Sequence, residues 1–116
     1  MKKKLIIGAI ITAALVLIPT RANASTTNTG NQYLSYCKPN NAHGEEMWCL
    51  GYTQALDHTA TMLSMMVEKE YFCPNGTYTI GQTRDIIKSY LYRNPAKRSD
   101  IMMLVYIDAM KEAFPC

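Results

Sequence analysis

The side chains best suited to acid–base chemistry in this sequence are two histidines and the carboxylates beside them. His43 precedes Glu45 and Glu46, and His58 directly follows Asp57. Successive residues on a helix point about 100° apart, so Asp57 and His58 do not form a catalytic pair without further groups. The sequence contains no phosphate-binding loop, G-x-S-x-G elbow, H-E-x-x-H motif or calcium loop. It therefore predicts a protein that is not an enzyme.

The first 24 residues have the pattern of a cleavable secretion signal. Three lysines precede an apolar stretch over residues 5–18, which is short for a transmembrane helix. Pro19 follows, and Ala22-Asn23-Ala24 provides the small residues that signal peptidase requires, so cleavage is expected before Ser25. The alternative is an uncleaved N-terminal anchor. Both interpretations export the domain, and we expect a periplasmic location with no stable membrane insertion after cleavage.

Removal of the signal changes the charge of the chain. The full sequence has a formal charge of +3, from 12 lysines and arginines and nine acidic residues. Three lysines and Arg21 leave with the signal, and the remaining eight basic side chains give the mature chain a formal charge of −1. This charge argues against a nucleic-acid partner. Residues 25–31 are polar and predict a flexible entry segment, which leaves residues 32–116 for a single domain.

The four cysteines, Cys37, Cys49, Cys73 and Cys116, all follow the cleavage point. In a short exported domain, four cysteines most often form two disulfides. A zinc site is the competing interpretation, but no two of these cysteines have the C-x-x-C spacing typical of structural zinc ligands. We therefore expect two disulfides and neither a metal nor another cofactor.

Helical patterns extend over most of the domain. A short helix is expected over residues 32–36, and a proline-free stretch from Gly44 to about Tyr71 predicts one long helix. Gly51 and Ala55, with Tyr52 and Asp57 beside them, are predicted to contact another helix, because the two small residues permit a close approach. Most of the methionines are expected in the core. The apolar residues that recur along the long helix are Met47, Leu50, Ala55, Met62 and Met66.

A turn at Pro74-Asn75-Gly76 separates this helix from the next one. The sequence Thr79-Ile80-Gly81-Gln82 matches a capping box, so a helix is expected to begin there and to end at Asn94-Pro95. The last helix starts either at Pro95, with Asn94 as its cap, or later, with Ser99-Asp100 as its cap. Residues 101–114 are apolar enough for a central, buried helix. These patterns together predict an all-α, four-helix domain.

Helix length narrows the pairing of the cysteines. Within one long helix, Cys49 and Cys73 would lie about 36 Å apart, far beyond the reach of a disulfide. Short connections make successive helices antiparallel, which brings the end of the last helix beside Cys73. The predicted disulfides are therefore Cys73 with Cys116 and Cys37 with Cys49, and each is expected to contribute about 2–4 kcal/mol.

The order of several short motifs is similar to that of a known family. The motifs are Tyr36-Cys37, Cys49-Leu50-Gly51-Tyr52 with Asp57, Phe72-Cys73-Pro74 followed by Thr79 and Gln82, Tyr90-Leu91, Asn94-Pro95 with Arg98, and Ala113-Phe114-Pro115-Cys116. The chain resembles the Tai/Rap-type immunity proteins over nearly all of its length after the signal. The resemblance implies a periplasmic all-α domain that binds a peptidoglycan amidase effector of type VI secretion and occludes its active-site cleft. It also implies a homodimer.

Residues that contact the effector are expected in two exposed places. One is the turn after the long helix and the other is a basic corner between two helices; the candidates are Asn75, Gly76, Thr77, Tyr78, Arg93, Asn94, Lys97 and Arg98. For the basic corner, a solvated loop is an equally good interpretation. Eight tyrosines in a short chain also favour protein binding. The competing functions are a periplasmic protein-binding domain without a toxin partner, such as an acid-stress chaperone, and, last, an enzyme.

Overall fold

The computed structural model describes residues 28–39 and 43–116. Within these residues the chain forms four α-helices and one 3₁₀ helix, and the predicted all-α, four-helix fold is confirmed. The predicted signal, residues 1–24, and residues 25–27 of the predicted entry segment lie outside the described residues. The helices are α1 (Gly30–Tyr36), α2 (His43–Val67), α3 (Ile80–Arg93), the 3₁₀ helix (Pro95–Ser99) and α4 (Met102–Ala113).

The core forms around α4, which contacts α1, α2 and α3. The prediction of a central, buried last helix is confirmed, because five of its side chains are buried: Met102, Val105, Tyr106, Ala109 and Met110. The other two long helices each contribute four buried residues, namely Cys49, Thr53, Leu56 and Ala60 from α2 and Thr83, Ile87, Tyr90 and Leu91 from α3. Burial of each large apolar side chain contributes about 1.5–3 kcal/mol to folding.

α2 directs its methionines away from the core, contrary to the prediction. Its buried positions 49, 53, 56 and 60 follow the helical period on the opposite side. Met47 and Met62 are 60% and 59% exposed, and Met65 and Met66 are 67% and 77% exposed. The prediction that most methionines lie in the core is therefore wrong for α2. The exposed residues Met47, Gly51, Ala55, His58, Met62 and Met65 are named here the outward face of α2.

The predicted helix contact at Gly51 and Ala55 is also wrong within this chain. Both residues are exposed, and a Cβ atom added to Gly51 would have no atom within 4 Å. The reason is the rotation of α2 about its axis, which places Thr53 and Leu56 against the core and so directs positions 51 and 55 to solvent.

The main chain of residues 28–30 packs against the start of α4. The amide of Met102 donates to the carbonyl of Asn28 at 2.9 Å, and the amide of Gly30 donates to the carbonyl of Asp100 at 3.3 Å. Thr29 forms the N-cap of α1, which begins at Gly30. Residues 28–31 of the predicted entry segment thus contact α4 through their main chain or form the first turn of α1. The polar composition of the segment gave no sign of these contacts because the main chain makes them.

Gly30 is required at this junction for steric reasons. A Cβ atom at this position would lie 2.6 Å from Leu91 Cδ2 and 3.0 Å from the Cα atom of Arg98. A side chain on residue 30 would therefore separate α1 from α3 and the 3₁₀ helix.

The helix ends differ from the predictions in two places. α2 ends at Val67 rather than near Tyr71, because Glu68 adopts a left-handed conformation with φ of 52°. The capping box that begins α3 at Thr79 is confirmed. Beyond α3, Pro95 begins the 3₁₀ helix, and α4 begins separately at Met102. Neither predicted side-chain cap serves α4, whose first amide is bonded to the main chain of residue 28.

Both predicted disulfides are confirmed. Cys37 is bonded to Cys49 across a sequence separation of 12 residues, and Cys73 is bonded to Cys116 across 43 residues. The first joins α1 to the second turn of α2. The second joins the segment after α2 to the end of the chain, as the antiparallel order of the helices predicted.

Candidate partner-binding groove

An open groove of about 480 Å³ lies between the turn at residues 74–78, one side of α3 and the end of α4. The turn contributes four of the predicted contact residues, Asn75, Gly76, Thr77 and Tyr78, and α3 contributes a fifth, Arg93. The structure thus brings together the predicted turn and one residue of the predicted basic corner. Residues that sequence reasoning did not select also line the groove: Gln82, Asp85, Ile86, Ser89, Glu112 and Phe114.

The turn projects from a base that is fixed at several points. Gly76 has a φ of +116°, a conformation that other residues adopt only with strain. At the base, the amide of Cys73 donates to the carbonyl of Phe114 at 2.9 Å, beside the disulfide from Cys73 to Cys116. The rings of Tyr78 and Phe114 are stacked with centroids 5.5 Å apart. The exposed residues 75–77 are therefore held between two anchored positions.

Asp57 connects this turn to the core. The hydroxyl of Tyr78 donates to Asp57 Oδ1 at 2.8 Å, and the hydroxyl of the fully buried Tyr106 donates to the same oxygen at 2.6 Å. Burial, and then the nearby Asp57 carboxylate, raise the pKa of Tyr78 to about 12 and also raise the pKa of Tyr106. Both phenols therefore stay protonated at neutral pH and hold the turn against α2 and α4.

The charged side chains that line the groove, Asp85, Arg93 and Glu112, each form an ion pair. Arg93 at the end of α3 forms an ion pair with Glu112 of α4. Asp85 accepts a hydrogen bond from Arg84 Nε at 2.9 Å. These carboxylates and the guanidinium of Arg93 flank Ile86 and Phe114, so the groove combines an apolar strip with charges of both signs. This surface suits a protein segment with an apolar side chain and polar neighbours.

The other three residues of the predicted basic corner do not line the groove. Asn94 donates through its side-chain amide to the carbonyl of Tyr90 at 2.9 Å. Lys97 lies 3.3 Å from a carboxylate oxygen of Asp100 and 3.7 Å from one of Asp108. The geometry gives both residues a role in holding the connection between α3 and α4.

Arg98 has a similar internal role. Its Nε donates to the carbonyl of Leu91 at 2.9 Å, which satisfies a main-chain acceptor near the end of α3. Its guanidinium carbon also lies 5.7 Å from the centre of the Tyr92 ring. The basic corner is thus divided, and Arg93 alone belongs to the groove.

Tyr52, predicted to support helix packing, lies at the opposite end of α2 from the turn. Its ring is stacked on Trp48 with centroids 4.8 Å apart and lies 6.3 Å from the ring of Tyr33. Tyr33 in turn shares a hydrogen bond of 2.6 Å with Thr53. This aromatic layer accompanies the disulfide from Cys37 to Cys49 and has no part in the groove.

Sequence reasoning missed the α3 residues of the groove, although their spacing carried a signal. Residues 82, 86, 89 and 93 recur at helical intervals and form one side of α3. This side contains one apolar residue among polar ones, and in the sequence such a pattern indicates a face exposed to solvent. The side forms a wall of the groove only because the turn and the end of α4 lie beside it.

The described parts of the chain, 28–39 and 43–116, contain no cluster of three or more histidine, cysteine, aspartate or glutamate residues that could hold a metal ion. None of their helices combines the length and apolarity needed to cross a membrane.

Comparison with known proteins gives one family. The family model described as Rap1a immunity proteins matches residues 29–116. The match begins at the N-cap of α1 and includes all four helices, both disulfides and the groove. Neither the comparison with curated proteins nor that with solved structures gives a match.

Proposed function

Since the chain belongs to the Rap1a immunity protein family, we propose that it binds and inhibits a peptidoglycan amidase effector of type VI secretion. Immunity proteins of this kind bind a cognate secreted effector, and the family is generally non-enzymatic. The amidase target comes from the motif resemblance to the Tai/Rap-type proteins. Inhibition would protect the producing cell and its siblings from attack on their own peptidoglycan.

The groove is the observation that supports this proposal. Residues 75–77 project into solvent from a base fixed by the Cys73–Cys116 disulfide and by the bond from Tyr78 to Asp57. A segment that is already ordered loses little conformational entropy on binding, so more of its contact energy appears as affinity. We propose that this turn enters the amidase cleft while the wall formed by α3 and α4 packs against its rim.

The proposed place of action is the periplasm. Residues 1–24 would direct export and be removed, so that the mature chain starts at Ser25. The mass of the protein recovered from a periplasmic extract tests this step. A mass that retains residues 1–24 would contradict cleavage and favour an N-terminal anchor.

Binding is tested with candidate peptidoglycan amidases chosen from the products of neighbouring genes, by calorimetry and by an amidase assay on purified peptidoglycan. We expect one immunity chain to bind each amidase and to abolish its activity. Thr77→Arg in the turn should weaken binding by roughly a hundredfold, because it places a bulky charge in the contact. The matched control is Thr59→Arg, at an exposed position on the side of α2 away from Asp57 and the turn, and it should bind as the wild type does.

Two results would contradict the proposal. In one, the hydrolase neither binds nor loses activity, and the protein instead suppresses aggregation of unrelated proteins at low pH, which favours the acid-stress chaperone. In the other, Thr77→Arg and Thr59→Arg bind equally well, which removes the turn from the contact.

The motif resemblance also implies a homodimer, for which the outward face of α2 is the candidate surface.

A further inference from the structure

Three methionines are grouped near the end of α2, at positions 62, 65 and 66. All three side chains are more than half exposed, so they do not serve the core. Residues three and four apart on a helix are neighbours, with Cβ atoms about 5–6 Å apart. Met62 is therefore next to both Met65 and Met66. The helix brings three thioether sulfurs to one area of its surface, which is named here the methionine patch.

The side chains of the methionine patch are able to converge on one point. Long side chains on a helix lean toward its amino terminus, so those of Met65 and Met66 extend over the turn that carries Met62. Methionine is unbranched and flexible, which lets its sulfur adjust to a bound group. His58 lies one turn before Met62 on the same side of the helix and is also exposed. Its imidazole can approach the patch from the amino-terminal side.

The donor atoms of the patch select a particular class of ligand. Thioether sulfur is a soft, uncharged donor that favours Cu(I), whereas Mg²⁺ and Ca²⁺ prefer the oxygens of carboxylates, carbonyls and water. Imidazole nitrogen also suits copper. All four cysteines are held in disulfides, so the soft sulfur of this chain that remains exposed belongs to methionine. The cysteine spacing that argued against zinc has no bearing on thioether ligands.

The surroundings of the patch do not repel a cation. Between Met47 and Val67 the sequence contains no lysine or arginine. The patch occupies the last two turns of α2, which ends at Val67, and the carboxyl end of a helix carries a partial negative charge. The next three residues, 68–70, are two glutamates and one lysine, with a net charge of −1. A monovalent cation at the patch is thus favoured by its electrostatic environment.

We propose that the methionine patch binds one Cu(I) ion through the sulfur atoms of Met62, Met65 and Met66, with the imidazole of His58 as a further ligand. Met62 is the central ligand, because it neighbours the other three. The site lies on the surface, so the ion is able to exchange with other carriers in solution. This inference is independent of the inhibitor proposal, because the patch shares no residue with the groove.

Titration with Ag(I), followed through the methionine methyl signals in NMR spectra, tests the site. Ag(I) is soft and monovalent like Cu(I) and needs no reductant, so both disulfides stay formed. In chloride-free buffer, the methyl signals of Met62, Met65 and Met66 should shift and saturate at one ion per chain, and that of Met47 should not. Excess Zn(II) should leave these methyl signals unchanged, because zinc does not favour thioether ligands over imidazole and thiolate. Competition with a coloured Cu(I) chelator in the absence of oxygen then measures the affinity for Cu(I).

Leucine variants remove the sulfur and little else. Leucine is close to methionine in volume and helix propensity, so the fold and the apolar character of the outward face are kept. Replacement of Met62, Met65 and Met66 together should abolish one-to-one binding. Met62→Leu alone should weaken it by roughly a hundredfold and His58→Ala by roughly tenfold, since a lost ligand costs at least as much as a lost supporting contact. The matched control is Met47→Leu, at a methionine of the same helix that is 60% exposed against 59% for Met62, and it should bind as the wild type does.

Three results would overturn the inference. In the first, the wild type shows no saturable shift of the three methyl signals. In the second, Met47→Leu weakens binding as much as Met62→Leu does, which would mean that exposed methionines bind the ion separately. In the third, His58→Ala abolishes binding and the leucine variants retain it, which would make the site an imidazole site without thioether ligands.

Discussion

The two disulfides join regions that differ in what they leave accessible to a partner. The amino-terminal region consists of α1 and residues 43–53 of α2, and its disulfide is buried, with Cys37 and Cys49 only 4% and 2% exposed. The carboxyl-terminal region consists of residues 71–79 and the end of α4, and its disulfide reaches the surface at Cys116. The buried bond accompanies the aromatic layer at Trp48, whereas the exposed bond fixes the base of a projecting turn.

This difference shows that two disulfides in one domain can have different structural roles. In the amino-terminal region, aromatic stacking and the bond between Tyr33 and Thr53 close the surface around the disulfide. In the carboxyl-terminal region, the same kind of link leaves residues 75–77 exposed and restrains only their flanks. The first disulfide therefore acts on stability, and the second acts on stability and on the groove.

Removing each disulfide in turn should give the largest effects. Replacing Cys73 and Cys116 by serine should lower the free energy of unfolding by about 4 kcal/mol, and the same change at Cys37 and Cys49 by about 3 kcal/mol, because the longer loop gains more entropy in the unfolded chain. Urea denaturation of both double variants measures this. A larger loss at Cys37 and Cys49 would show that packing of the aromatic layer outweighs loop length. Only the change at Cys73 and Cys116 should also weaken amidase binding.

Glycine replacements compare the amino-terminal junction at Gly30 with the outward face of α2 at Gly51. Gly30→Ala should destabilise the protein by about 1–3 kcal/mol, because the new methyl group meets Leu91 and Arg98 in a packed site. Gly51→Ala should stabilise the monomer by up to about 1 kcal/mol, since alanine favours the helix and the site is open. Thermal unfolding at low protein concentration, where dimers are absent, measures both changes. Equal effects of the same sign would contradict the close approach at residue 30.

Deleting single tyrosine hydroxyls compares the polar contacts of the two regions. Tyr106→Phe should cost about 2 kcal/mol, because a buried hydroxyl bonded to a carboxylate is lost. Tyr33→Phe should cost about 1 kcal/mol, since its partner Thr53 is neutral. Tyr78→Phe should cost about 1 kcal/mol or less, because water reaches this half-buried site. Chemical denaturation ranks the three, and a Tyr78→Phe loss as large as that of Tyr106→Phe would mean that the turn is part of the cooperative core.

The smallest expected difference appears in alkaline solution. Burial raises the pKa of Tyr33 in the amino-terminal region, and that of Tyr78 in the carboxyl-terminal region, from 10.0 to about 12. The folded chain therefore keeps protons that the unfolded chain releases above pH 10. Stability should be complete below pH 10 and should fall as the pH rises through about 12. Chemical denaturation at several pH values measures how steeply the free energy of unfolding falls with pH. Tyr33→Phe and Tyr78→Phe should each make this dependence less steep. An unchanged dependence in either variant would show that the replaced tyrosine does not contribute to it.

Sequence reasoning predicted the fold class, both disulfides and the limits of α3, because each rests on a local or a simple geometric constraint. The capping box at Thr79 and the proline at 95 act on their own neighbours in the chain, so their effect can be predicted from the sequence. The predicted turn residues 75–78 also line the groove, since Gly76 specifies the conformation of the turn. The amidase target and the contact residues remain predictions that the experiments above address, and the homodimer remains a prediction.

The rotation of α2 and the composition of the groove were decided by tertiary structure. Apolar residues occur on both sides of α2, and the period alone does not say which side is buried; packing against α1, α3 and α4 selected Thr53, Leu56 and Ala60 over the methionines. The start of α4 likewise depends on the carbonyl of Asn28, 74 positions away in the chain. The sequence by itself determined which segments form helices and, through helix length and order, how the cysteines pair. Only the assembled fold determined which surfaces stay open, because the burial of a helix face depends on which other elements pack against it.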